Sequence, residues 1–529
     1  MNAMSYHEDE VRVPGATWWD VIVGHARQHP ARVALAHGDA SITYGELTGR
    51  VERCAAGLSA RGVVAGDCVA MLAPPTPEAM VSFLAAARLG ALWVGLNPRY
   101  QPREVAYVIG HARPRLVISI ASFEERRYAD DLRDALDSLE PGAARPALVF
   151  YQGDTPGDDS LERALAGAEG VPPACPAPYG DPAQPSMLVY TSGTTGKPKG
   201  VLLSQTALIY RSTVQARTFA TASHPVVINF APINHIGGMH FRGLSQILAG
   251  GTIVYQERYR PADVMGLIEK HRVNMLMLGS TMLQMLIREP SFDMAIMRRM
   301  EWFIFSGAAI PMPILRRVQE HCPRIGSTYG LTESCGSVSY IVASDTLEAA
   351  AYTIGRAIPD GQLRVVDEHG EPGQAGEQGE LQVRRRYSMN GYLRDEAATA
   401  EAFTADGWLK TGDMAVCDET GNFRLVGRIK EMYKSGGYNV YPREIEVVLE
   451  QHPHVLMSAV IAVDDELYQQ VGHAHLILKP EGAVSESELA HWCRERMANY
   501  KVPKRFFIRS ALPMLSIGKV DKIALRQQP

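Results

Sequence analysis

The sequence predicts an α/β protein in two parts: a large N-terminal domain of helix-covered sheets carrying a small β-rich subdomain, then a small α+β C-terminal domain. Three observations carry this expectation. Short apolar runs alternate with helix-compatible stretches up to Gly361, the texture changes to strand, glycine-rich turn and strand after it, and the chain from Lys430 onward alternates helix, strand, strand and helix.

In chain order, Met80 to Leu96 is the most membrane-like run, but Arg88 and Gly90 interrupt it, so it reads as a buried helix entering a short strand. The Pro/Gly-rich stretch Gly153 to Pro185 reads as an exposed connector. "SMLVY" (186 to 190), "GVLLS" (200 to 204), "GTIVYQ" (251 to 256), "MLMLGS" (275 to 280) and "WFIFSG" (302 to 307) are apolar, short and bounded by glycine or polar turns, as buried strands are. Thr206 to Phe219 and Ala262 to Lys270 are helix-compatible segments between them. "QLRVVDEHGEPGQAGEQGELQVRR" (362 to 385) is the β-rich subdomain. The glycines and charges of "GRIKEMYKSGG" (427 to 437) suit a boundary, which divides the chain into domains 1–429 and 430–529.

Composition excludes several classes. Asp and Glu outnumber Lys and Arg by 58 to 53, so there is no global basic field for nucleic acid or an anionic membrane. The seven cysteines are scattered and never spaced CxxC, which suggests reduced thiols rather than disulfides or a zinc site. "MNAMSYHEDE" is acidic where a secretory signal is basic and then apolar. A cytoplasmic protein without a membrane span is expected.

Residues 190 to 200, "YTSGTTGKPKG", hold three glycines, four hydroxyl side chains and two lysines. The stretch is not a Walker loop: only two residues separate Gly193 from Gly196, Pro198 follows Lys197, and a strand follows where a helix should. Its inventory still suits phosphate, with backbone that can approach closely, donors on Thr191, Ser192, Thr194 and Thr195, and the charge of Lys197. On composition alone it reads equally well as a hairpin connection. The chain carries no GxSxG, HExxH, EF-hand or dinucleotide fingerprint.

Together with "STYGLTES" (327 to 334), "GWLKTGDMA" (407 to 415), "GRIKEMYKSGGYNVYPREIE" (427 to 446) and "LPMLSIGKVDK" (512 to 522), that loop resembles, in order and spacing, the adenylate-forming superfamily of acyl-CoA synthetases, peptide-synthetase adenylation domains and beetle luciferases. The resemblance implies the adenylate-forming enzyme fold with a mobile C-terminal domain, and a two-step reaction. A carboxylate attacks ATP to give acyl-AMP and pyrophosphate, and a thiol then displaces AMP.

It also implies roles. Thr191, Ser192, Gly193, Thr194, Thr195, Gly196 and Lys197 would hold the β- and γ-phosphates. Gly307, Ala308 and Ala309 would line one side of the adenine. Ser327, Thr328, Tyr329, Gly330, Leu331 and Thr332 would line the other, with Tyr329 against the ring. Glu333 would lie at the catalytic magnesium, Asp413 at the ribose, and Arg428 beside ribose and phosphate. Lys519 would reach the reacting carboxylate and α-phosphate. Lys430 would be the hinge. After rotation Lys434, with Ser435, Gly436 and Gly437, would sit at the thiol tunnel. By itself Lys522 is as plausible a surface lysine as Lys519; the Gly-Lys-Val-Asp context selects Lys519.

His235, Ile236, Gly237, Gly238 and Met239 would begin the acyl pocket. Ile236 stands where amino-acid-activating relatives carry an aspartate, which disfavours an α-amino acid. The two glycines are expected to leave volume and Met239 to conform to an apolar guest, so an apolar, bulky or aromatic acid is preferred. The implied cofactors are ATP and magnesium, with coenzyme A as co-substrate. A carrier protein as acceptor and luciferase-like oxygenation of the adenylate stand as alternatives, and a homodimer is left open.

Overall fold

A computed structural model describes residues 16–151, 160–166, 175–191, 198–307, 309–359, 361–479, 482–514 and 520–527. A seven-stranded sheet runs, edge to edge, Gly391–Tyr392, Lys199–Ser204, Pro185–Thr191, Leu92–Leu96, Cys68–Leu72, Leu116–Ile120 and Ala147–Tyr151. Its last five strands are parallel, and the Lys199–Ser204 strand turns back antiparallel on Pro185–Thr191. A nine-stranded sheet includes the parallel series Ile325–Leu331, Trp302–Ser306, Met275–Leu278, Val226–Asn229 and Thr252–Tyr255.

The helix Pro77–Arg88 explains how the two sheets meet. All of its residues are buried, as the uninterrupted "AMVSFLAAA" requires, and its apolar side chains share one core with strands of both sheets. Each strand-to-helix passage is set locally. After Lys199–Ser204, for example, the Ser204 hydroxyl accepts from Ala207 N at 3.2 Å and caps the helix Gln205–Thr218.

The stretch expected to be an exposed connector, Gly153 to Pro185, is instead partly core. Ser160–Ala166 is a helix whose Leu161 and Leu165 are fully buried, and Glu162 pairs with Arg50 at 2.5 Å; Arg50 also meets Glu78 at 3.5 Å. A Cβ on Gly57 would lie 2.6 Å from Leu165 Cβ, so glycine there allows the helix to dock. The apolar spacing of Leu161 and Leu165 outweighs the glycines and prolines around it.

A four-stranded antiparallel sheet follows, Gly361–Val366, Gln378–Arg385, Leu409–Cys417 and Phe423–Arg428. From Tyr433 the chain builds a five-stranded sheet whose two cores draw only on residues from Tyr433 onward. Its elements include Pro442–Glu450, Val455–Asp465, Gln469–Leu478 and Glu486–Arg494, in the expected order. The glycines of the expected boundary have a specific local use: Gly436 (φ 58°) and Gly437 (φ 86°) are the two central residues of a hairpin in which Ser435 faces Tyr438, the geometry of a type I′ turn. No helix among the described residues is long and apolar enough to cross a membrane, and all seven cysteines are free thiols.

Candidate active site

Three sheets converge on one turn. The strand Ile325–Leu331 turns through Thr332 to Cys335 into Gly336–Ile341. The turn is tight: a Cβ on Gly330 would lie 2.2 Å from Gly336 O, and Cys335 takes φ 55°. The Ser334 hydroxyl accepts from Leu331 N at 3.0 Å and reaches Gly336 O at 2.6 Å, closing the loop from inside. Glu333 is thereby turned toward the seven-stranded sheet, where Tyr392 donates to its Oε1 at 3.0 Å. Burial and the Glu333 charge push the Tyr392 phenol well above its ordinary pKa, so it stays a donor.

Tyr392 pairs with Val201 in the sheet, and Lys199 Nζ lies 4.9 Å over its ring. Lys199 in turn faces Thr191 across the Pro185–Thr191/Lys199–Ser204 hairpin. Through Lys199 and Tyr392, the described end of this strand pair is linked to Glu333. Ser192, Gly193, Thr194, Thr195, Gly196 and Lys197 lie outside the described residues, as do Ala308 and Lys519.

Four residues before Glu333, Tyr329 points to the third sheet and donates to Asp413 Oδ2 at 2.5 Å. Asp413 is 4% exposed and sits opposite Arg428 in the ladder, whose Nε contacts Oδ1 at 2.9 Å. Burial first, then the Asp413 charge, raises the Tyr329 phenol far above its usual range. The tyrosine expected against adenine is thus fixed by its hydroxyl to the aspartate expected at ribose. Ser327 and Thr328 lie on the same strand, with Thr328 paired to Ser306; Gly307 follows Ser306 with φ 86° and leads to Ala309.

The segment expected to begin the acyl pocket runs from the end of Val226–Asn229 into a π-helix, Gly237–Leu244. His235 Nδ1 accepts from Gly237 N at 3.0 Å, which fixes the ring and leaves Nε2 as the other polar atom. Ile236 and Met239 are buried. The glycines do not leave the open volume expected of them. A Cβ on Gly238 would lie 2.5 Å from Pro232 O, and one on Gly237 would lie 2.9 Å from His235 Nδ1, so glycine serves close packing of the chain on itself.

The AMP-binding enzyme family matches residues 23–393, and the AMP-binding enzyme C-terminal domain matches residues 444–519. The chain belongs to this family. Indoleacetate–CoA ligase of Aromatoleum aromaticum is 32% identical over 506 residues, spanning 95% of this chain and 96% of that one. A 3-[(3aS,4S,7aS)-7a-methyl-1,5-dioxo-octahydro-1H-inden-4-yl]propanoyl:CoA ligase of Mycobacterium tuberculosis is 33% identical, spanning 95% and 96%. Among solved structures, O-succinylbenzoate coenzyme A synthetase of Bacillus subtilis in complex with AMP superposes with a TM-score of 0.81 at 27% identity, covering 97% of this chain and 98% of that one. The adenylate-forming fold, with a large N-terminal and a small C-terminal domain, and the AMP-forming acyl-CoA synthetase type follow from these matches.

In this AMP-binding enzyme two groups stand out in the described part of the predicted site, besides Gly307, Ala309 and the segment His235 to Met239. Thr191, Ser327, Thr328, Tyr329, Gly330, Leu331, Thr332, Glu333, Asp413 and Arg428 are gathered by the shared turn. Lys434, Ser435, Gly436 and Gly437 form the separate hairpin of the C-terminal sheet, and Lys434 is exposed. Lys430 is exposed in the short helix Ile429–Glu431. Lys522 is not a free surface lysine: its Nζ contacts Glu446 at 2.8 Å and Glu431 at 3.0 Å.

Sequence reasoning missed Tyr392 and Lys199, although Lys199 stands inside the quoted loop motif. It also missed an exposed tyrosine pair, Tyr438 and Tyr500, stacked at 4.4 Å beside the Gly436–Gly437 turn, with Lys501 near the Tyr500 ring and Lys504 close by in sequence. Two exposed aromatic residues next to lysines were the available signal.

Proposed function

We propose that the shared turn assembles a site in which a bulky carboxylic acid is converted to acyl-AMP and then to its coenzyme A thioester, with residues 1–429 holding the nucleotide and 430–529 turning about Lys430 between the steps. The observation that carries this reading is the single Tyr329-to-Glu333 turn, which ties the buried Asp413 to one end and the phosphate-loop sheet to the other.

The chemistry follows from charge. A carboxylate approaching a triphosphate is repelled, and preorganised donors must offset that repulsion where it grows. The sequence from Thr191 to Lys197 supplies donors and one cation at the phosphates that leave. Asp413, whose two oxygens already hold Tyr329 and Arg428, presents its remaining lone pairs to the ribose hydroxyls. Lys519 brings a mobile cation to the reacting carboxylate and α-phosphate.

Glu333 fits magnesium in its donor chemistry. It is a part-buried carboxylate with one oxygen engaged by a neutral phenol, which leaves the other oxygen for a hard cation that also takes phosphate oxygens. Magnesium bound there would neutralise phosphate charge.

For the second step, Lys434 on its hairpin takes the side of the pocket that Lys519 leaves, and the Tyr438–Tyr500 pair with the exposed Lys504 offers a stacking platform and a cation for the coenzyme's nucleotide, Lys501 being already paired with Glu444 at 2.7 Å. The ring-bearing acids in the relatives' names support a bulky acid, as does Ile236 in place of a counter-charge for an ammonium group. Pyrophosphate exchange over a panel of carboxylic acids, followed by thioester analysis with coenzyme A, tests the proposal. Acid-dependent exchange and an acyl-CoA product are expected; exchange with no acid would refute it.

A further inference from the structure

Arg242 lies in the π-helix Gly237–Leu244 and is 7% exposed. Its Nη1 donates to Gly237 O at 3.4 Å, and its Nε and Nη2 donate to Met277 O at 3.4 and 3.1 Å. The guanidinium carbon also lies 5.3 Å from the centre of the Phe230 ring. These contacts place it where two neighbouring strands part. Val226–Asn229 and Met275–Leu278 pair only at Val227 and Met275; Arg242 holds Met277 near the end of one and covers Phe230 just past the end of the other. A crevice at the carboxyl ends of separating strands is where open α/β sheets take ligands.

The same spot borders the acyl segment. A Cβ on Gly237 would lie 2.9 Å from His235 Nδ1 and 3.7 Å from Arg242 Nη1, so imidazole and guanidinium flank one point of backbone.

The side chain is more than a strut needs. A guanidinium has five N–H donors, of which three are directed at carbonyls here, two of them over long distances, and the other two meet no acceptor among the described residues. No carboxylate among the described residues pairs with it, and burial lowers its pKa to about 10, which leaves it charged at neutral pH. A buried cation without a counter-charge is a cost that a neutral amide reaching the same carbonyls would avoid.

We infer that Arg242 determines acid specificity, and that the acid carries, away from its reacting carboxylate, a second oxygen acceptor of oxo or carboxylate type that the two remaining donors receive. The inference rests on the acyl pocket beginning at His235, as proposed above, and narrows the apolar guest expected there to an oxygen-bearing one.

The test compares matched acids on the full-length enzyme by pyrophosphate exchange: octanoate against its ω-oxo and ω-carboxy analogues, and cyclohexylpropanoate against its ring-oxo analogue. In at least one pair the oxygenated acid should exceed its hydrocarbon partner in kcat/KM by roughly tenfold or more, the worth of a charge-assisted hydrogen bond. Arg242→Met should bring that ratio to within about threefold of unity, and Arg242→Lys should keep part of it. Wild-type indifference to the oxygen, or a ratio that Arg242→Met leaves unchanged, overturns the inference. Should Arg242→Met fail to fold, the wild-type and Arg242→Lys ratios decide. Absence of exchange with every acid overturns the acyl-adenylation reading itself, whereas exchange that ignores the oxygen overturns this inference alone.

Discussion

Tyr329 and Glu333 stand on one turn yet face different sheets, and the division of labour between them is a matter of charge. Tyr329 serves Asp413 as a neutral donor, while Glu333, in the proposed site, would keep its second oxygen for a cation. Glu333→Gln tests this. The amide can still accept from Tyr392, so the turn should hold, but the negative charge is lost. Exchange should fall roughly a hundredfold, and the magnesium concentration for half-maximal rate should rise; an unchanged magnesium dependence would remove Glu333 from the metal. The residue types here were legible from motif alone. Their pairing was not: Tyr329 and Asp413 are 84 positions apart and Glu333 and Tyr392 are 59 apart, and no local period encodes either contact. Arg242 was invisible for a different reason, since nothing in "GMHFRGL" distinguishes a buried arginine from a solvated one.

Among the elements, the π-helix Gly237–Leu244 carries a second consequence through His240. This histidine is 2% exposed, with Nε2 within 3.2 Å of Leu208 O and 3.1 Å of Ser212 Oγ. Burial, assisted by Arg211 and Arg385 and opposed by the bond to Leu208, lowers its pKa from 6.5 to about 4. Below pH 6.5 the unfolded chain binds a proton that the folded chain refuses. The contribution is therefore complete above that pH and is lost as pH falls toward 4, up to about 3 kcal/mol. Thermal melts from pH 7 to pH 4.5 should show a smaller decline for His240→Gln, whose amide can still reach Leu208 O. An equal decline would show that His240 titrates normally. At this scale the sequence was informative where a run is apolar and short, as in the strands at 186, 275 and 302. It misled where glycines and prolines surround two apolar positions, as at Leu161 and Leu165, because a helix docked by so few side chains leaves little periodic trace.

For the whole molecule, the proposed reaction has one pocket meet two different cations in turn. Asp413 and Arg428 lock the strand on one side of Lys430, and the five-stranded sheet has its own cores on the other, so the proposed rotation would be absorbed in the short Ile429–Glu431 segment. Lys430→Pro should slow thiolysis of supplied acyl-AMP by roughly tenfold more than it slows acyl-AMP formation, and Lys519→Ala should do the reverse. Single-turnover measurement of each half-reaction separates the two, and equal losses in either variant would refute the alternation.

The ion pairs of Lys522 bear on how that unit is closed. One ammonium from the last described helix spans the buried Glu446 and the hinge-side Glu431, in effect a rivet joining the unit's final turn to its first. A stop codon just after Val520 would spare every residue assigned to chemistry, yet leave the interior Glu446 to its longer 3.4 Å contact with Arg443 and uncover Leu525's seat on the sheet. Lys519 directly precedes Val520 in sequence, so such fraying would make the closing helix a requirement for activity although it need never touch a substrate.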